Sequence, residues 1–130
     1  MRHLVLTACL LAGAGWAADM SPPPEIKPAA ADTLAALRAQ PQPGSADWHN
    51  LMGYTLRKQA RAQLAEAESQ YLEALRIAPG HLGANEYLGE LYVMKGELAK
   101  ARERLAELEK LCPAGCAQRE DLQRAIAAAM

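Results

Sequence analysis

The sequence predicts an all-α fold: a short α-solenoid of antiparallel helix pairs, closed by a C-terminal capping helix. Three observations predict it. From Ala29 onward apolar residues recur at helical spacing, and no stretch alternates with period two. Pro43, Pro79 and Pro113 each follow an apolar stretch, at intervals of 36 and 34 residues, which is the spacing of a repeated helix pair. Finally, 28 of the 130 residues are Ala and none is Phe, so the core must come from closely approaching helices filled by Ala, Leu and Tyr.

The chain opens Met1-Arg2-His3 and then runs without charge from Leu4 to Ala18. A basic start, a short apolar run and small residues before Asp19 are the parts of a secretory leader. Gly15 and Ala17 suit a cut after Ala17, with a cut one residue later as the alternative, giving a signal peptide over residues 1–17. The run is shorter than the roughly 20 residues a spanning helix needs, so no stable membrane insertion is expected. Leu6-Thr7-Ala8-Cys9 resembles a lipoprotein cleavage box, but a lipidated Cys9 would leave only eight residues of leader. Residues 18–29 hold Pro22, Pro23, Pro24 and Pro28 and read as a stiff extended linker, because proline lacks the amide donor and constrains its predecessor.

Residues 30–130 form the helical domain. A short first stretch carries Leu34 and Leu37 and stops before Pro41-Gln42-Pro43-Gly44. The next begins after Ser45 and Asp47, both good caps, and carries Trp48, Leu51, Met52 and Leu56. A third holds Leu64, Ala67, Tyr71, Ala74 and Leu75, ending at Pro79-Gly80. The fourth, with Ala84, Tyr87, Leu88, Leu91 and Tyr92, ends near Gly96. The fifth, with Leu98, Ala101, Leu105, Leu108 and Cys112, ends at Pro113. A last stretch from Ala117 sets Leu122, Ala125, Ile126 and Ala129 on one side, with Glu120 and Asp121 in its first turns, where the helix dipole favours acid.

The fourth and fifth stretches carry a specific pattern. Leu88-Gly89, Tyr92 three residues after the glycine, small Ala101, large Leu105 and closing Pro113 resemble the tetratricopeptide repeat. The preceding unit is looser: Gly53, Ala67, Tyr71, Ala74 and Pro79 match, with two extra residues assigned to the turn at 59–63. The resemblance covers roughly residues 46–113, about two repeats, and extends to small secreted bacterial proteins of this type. It implies that the first helix of each repeat lines a concave groove. On that reading the partner-binding residues are Asn50, Tyr54, Arg57 and Lys58 from the first unit and Glu86, Glu90 and Val93 from the second, with Gly83 and Met94 beside them. Arg57 and Lys58 would receive acidic groups of a protein or peptide, and Tyr54 would supply rigid apolar area. Two repeats are fewer than such arrays usually need, so the Leu34/Leu37 stretch is expected to act as a half unit and the last helix as a cap, with self-association into a homo-oligomer as the alternative.

With the leader removed, Cys112 and Cys116 are the only cysteines, and an even number in an oxidising compartment reads as a disulfide pinning the cap. Its five-residue loop is worth about 2 kcal/mol on the chain-entropy model. The alternative is a copper or redox site, since two thiolates at this spacing chelate a soft metal. Against it, the gap is three residues rather than two and no His follows Cys116. His81 with Glu86 and Glu90 is a weaker metal candidate, read more simply as a solvated rim. Phosphate loops, dinucleotide glycine patterns, paired-His motifs and nucleophile elbows do not occur in the sequence, so no enzyme and no cofactor is expected. A net charge of −1 speaks against a nucleic-acid partner. The mixed charges from Arg102 to Lys110 read as an exposed helix face. The expectation as a whole is a periplasmic or secreted adaptor that binds a protein or peptide.

Overall fold

The computed structural model describes residues 30–59 and 61–130. The expected leader at 1–17 and linker at 18–29 lie outside the described residues. Within them the fold is all-helical, and no strand occurs. Six α-helices follow in order: α1 Ala30–Ala39, α2 Ala46–Gln59, α3 Leu64–Ile77, α4 Leu82–Met94, α5 Leu98–Leu111 and α6 Ala117–Ala128. The two extra residues of the first unit fall where a 3-10 turn, Arg61–Gln63, joins α2 to α3.

The helices pack as pairs. α2 lies on α3 and α4 on α5, α1 covers α2, and α6 packs on both α4 and α5. α4 also touches α2 and α3, which places it between α2 and α6 at the centre of the molecule. No helix among the described residues is long and apolar enough to cross a membrane.

Each first helix starts on a side-chain cap. The Ser45 Oγ accepts from the Trp48 N–H at 3.2 Å, and the His81 Nδ1 accepts from the Ala84 N–H at 3.1 Å. The second helices, α3 and α5, begin without one and rely on tight turns instead. In the α4–α5 turn Gly96 takes φ +75°, a left-handed conformation that glycine adopts without a Cβ clash.

Close approach is made possible by small residues. Gly53 faces the Tyr71 ring, and a Cβ there would stand 2.8 Å from the nearest ring carbon. Gly89 faces Leu122 of α6, whose nearest methyl would lie 2.5 Å from such a Cβ. Ala67, Ala74, Ala84 and Ala101 are fully buried and fill the remaining helix crossings. Tyr71, Leu56, Leu88, Leu91, Leu108 and Leu122 supply the bulk of the core. Fully burying a Leu-sized side chain contributes about 1.5–3 kcal/mol, so the six large residues outweigh any single polar contact described below.

Candidate functional site

The first helices α2 and α4, with α6 beyond, bring aromatic and charged side chains together. Tyr54 of α2 and Tyr87 of α4 lie with ring centroids 5.0 Å apart, and Tyr71 of α3 stands 6.3 Å from Tyr87. Arg57 enters this aromatic set, its guanidinium carbon 5.7 Å from the Tyr54 centroid and 5.4 Å from that of Tyr87. It is not open to solvent: its side chain is 7% exposed and Nη1 makes a 2.7 Å ion pair with the Glu90 Oε2. The pair spans α2 and α4, with Arg57 buried and Glu90 partly exposed, and ties one helix pair to the next. Removing Glu90 leaves the buried guanidinium without its counter-ion, at a cost of about 3–5 kcal/mol.

Glu86 lies one helical turn before Glu90 and is 6% exposed. Its carboxyl has neither hydrogen bond nor ion pair among the described residues. Burial pushes its pKa up to about 7, neighbouring Glu90 and Asp121 push the same way, and Arg57 opposes them. Burial also raises the phenols of Tyr71 and Tyr87. Arg57 opposes the shift at both, and Glu86 adds to it at Tyr87. Asp121 faces Glu86 from α6 but already pairs with Arg124.

The structure thus brings together Tyr54, Arg57, Glu86 and Glu90, four of the expected residues. Lys58 stays exposed at the rim, its Nζ 5.6 Å from the Tyr54 centroid. Asn50 is half-buried over Gly83, where a Cβ would come within 3.1 Å of its Nδ2. Val93 packs against the core. Met94 is exposed, with its sulfur 3.9 Å from the Arg57 Nη1.

Several expectations need correcting. Arg57 does not stand free to receive an acidic group, because Glu90 already holds it. His81, Glu86 and Glu90 do not form a solvated rim. Glu86 is buried, while His81 caps α4 through Nδ1 and donates from Nε2 to the Asp47 Oδ1 at 2.8 Å. The amide at Ala84 can only donate, so Nδ1 is the bare nitrogen and Nε2 carries the proton. His49 is also structural: Nε2 donates to the Pro43 carbonyl at 3.0 Å, and Nδ1 meets the Gln70 side chain at 2.6 Å. Arg104 is more than part of an exposed charged face, since its Nη1 donates to the buried Asn85 Oδ1 at 3.1 Å. Among the described residues no three His, Cys, Asp or Glu side chains are placed to hold a metal. The Cys112 and Cys116 sulfurs lie 2.10 Å apart, a disulfide distance.

Sequence reasoning missed Tyr87, Asn85 and Asp121 as contributors. Tyr87 sits on the apolar stripe of α4 and reads as core, yet its ring reaches the shared face. Asn85 donates to the Pro79 and His81 carbonyls, both at 3.1 Å, and so fixes the turn that sets α4 relative to α3. An open cleft of about 300 Å³ lies elsewhere, between α1 and α2, with Leu37, Trp48 and Leu51 among its walls and none of the expected site residues.

No protein-family model, curated protein or solved structure matches the chain.

Proposed function

We propose that the chain is a tetratricopeptide-type adaptor, periplasmic or secreted, that binds a partner polypeptide on the face formed by α2, α4 and α6. The observation that carries this reading is the convergence of Tyr54, Arg57, Tyr87, Glu86 and Glu90 on one face, from helices that belong to different pairs. Aromatic rings dominate polypeptide recognition, and Arg57, held inside the face by Glu90, backs the Tyr54 and Tyr87 rings. Here they are set by the packing of the pairs rather than by a mobile loop. The 34-residue interval from Pro79 to Pro113 and the small residues Gly53, Ala67, Gly89 and Ala101 support the repeat assignment. The Cys112–Cys116 pair at disulfide distance supports an oxidising compartment, with the bond pinning α6 to the last pair.

The test is capture from periplasmic extract by the mature chain beside a Tyr54→Ala, Lys58→Glu variant. These positions are half-buried and exposed, so the fold should survive the change. A protein retained by the native chain and lost with the variant supports the reading. Equal retention by both, or none by either, removes it.

A further inference from the structure

We propose that the face of α2, α4 and α6 selects a partner polypeptide carrying a lysine or arginine side chain, whose cationic head donates to the Glu86 carboxylate between Glu90 and Asp121. The proposal rests on the adaptor reading above and specifies the chemistry of its ligand. It also reverses the charge expected of that ligand from Arg57 and Lys58.

The argument is one of charges and partners. Arg57 is neutralised by Glu90 at 2.7 Å, and Asp121 by Arg124. Lys58 lies outside, exposed beyond the Tyr54 ring. What remains within the face is Glu86, a residue 6% exposed whose carboxyl tip still reaches solvent and has no donor among the described residues. A partly desolvated carboxylate without a donor is unfavourable, and a carboxyl so placed gains from a ligand that brings both a positive charge and N–H groups. The groups facing it are Glu90 from its own helix, Arg57 from α2, Asp121 from α6 and the neighbouring Tyr87 phenol. Glu90 and Asp121 are paired with Arg57 and Arg124, so the one uncompensated charge at this point of the face is the carboxylate of Glu86, which favours a cation over an anion. The half-buried Tyr54 and Tyr87 rings offer apolar area for the alkyl stem of a lysine or arginine.

Binding must then be coupled to proton release. Burial holds the Glu86 proton on to about pH 7, and the cation takes its place. Affinity for the cation therefore falls as the pH drops below about 7, whereas a purely hydrophobic contact would not change there.

The experiment uses alanine-rich, acetylated and amidated peptides that carry two lysines, two glutamines or two glutamates. Backbone amide shifts of the full mature chain are followed by NMR. The lysine peptide is expected to shift amides of α2, α4 and α6 around Glu86, and Glu86→Gln to weaken it about tenfold, the worth of a charge-assisted hydrogen bond. A second measurement on the unaltered chain does not depend on how the variant folds. The Glu86 carboxyl titration is followed by carbon NMR, and saturating lysine peptide should move its midpoint to lower pH. Equal affinity for lysine and glutamine peptides, or an unmoved Glu86 midpoint with the lysine peptide bound, overturns the proposal. Tighter binding of the glutamate peptide at the same amides overturns the cation but leaves the adaptor face standing. No shift of those amides with any peptide overturns both.

Discussion

The two helix pairs obey one plan and are held in different ways. In the first, Gly53 of α2 is covered from inside the pair, by the Tyr71 ring of α3. In the second, the equivalent Gly89 of α4 is covered from outside, by Leu122 of α6. The first pair is therefore closed by its own aromatic residue, whereas the second is completed only when the cap helix docks. Repeats alike in sequence need not be alike in what stabilises them: the last pair of an array leans on whatever hides its open face.

The largest effect should come from breaking the internal closure. Tyr71 is fully buried, and Tyr71→Ala is expected to cost about 3–5 kcal/mol in a denaturant titration, with loss spread over the whole domain. Leu122→Ala should cost about 2–5 kcal/mol, but unevenly. Amide exchange should accelerate in α6 and along its contact with α4 while α2 and α3 keep their protection. Equal acceleration in all helices would show that the two pairs do not differ in this way.

Filling the glycine sockets sharpens the same contrast. Gly53→Ala drives a Cβ against a rigid, fully buried ring and should cost about 1–3 kcal/mol by overpacking. Gly89→Ala meets the methyl ends of a leucine, which can turn away, so its cost should be smaller. The double variant Gly89→Ala, Leu122→Ala should fall short of the sum of its parts, because the added methyl occupies room the leucine gave up. Thermal unfolding of the four proteins gives the coupling directly, and strict additivity would mean that Leu122 does not seat on Gly89.

How much of this was legible depends on the length scale. Pro79 and Pro113, the small residues at 53, 67, 89 and 101, and the apolar spacing of each stretch act within one helix or one turn, and they read directly as helix pairs. The Arg57–Glu90 pair does not, because it joins α2 to α4 and depends on how one pair is rotated against the next. Asn85 carries no sequence signal of burial; the inward-turned carbonyls at Pro79 and His81, together with Arg104, account for it. Glu86 is legible as a residue of this face but not as a desolvated one, since Asp121 reaches it from a helix outside the repeat.

The smallest effect concerns pH and again separates the pairs, since Glu86 belongs to the second. Its carboxyl pKa is raised, by burial first, to about 7 in the folded chain, above the usual carboxylate range. The folded state therefore holds the proton more tightly than the unfolded one. The stability this contributes is fully present below the unfolded value and is lost as pH rises through about 7. Melting temperatures of the native chain should fall between about pH 5 and about pH 8, with a flatter profile for Glu86→Gln. Identical profiles would show that Glu86 titrates normally.

The cluster around Arg57 has an optical consequence. Three of the four tyrosines, Tyr54, Tyr71 and Tyr87, crowd one guanidinium, while Trp48 stands apart beside α1. A phenol's near-ultraviolet band moves with the charge and polarity at its ring. Any occupant that displaces water from Tyr54 or Tyr87, or redistributes charge between Arg57 and Glu90, will therefore perturb the tyrosine absorption and leave the indole band unchanged. The molecule carries its own dye on the face proposed for a partner, so occupancy there can be followed by difference spectroscopy without attaching a label.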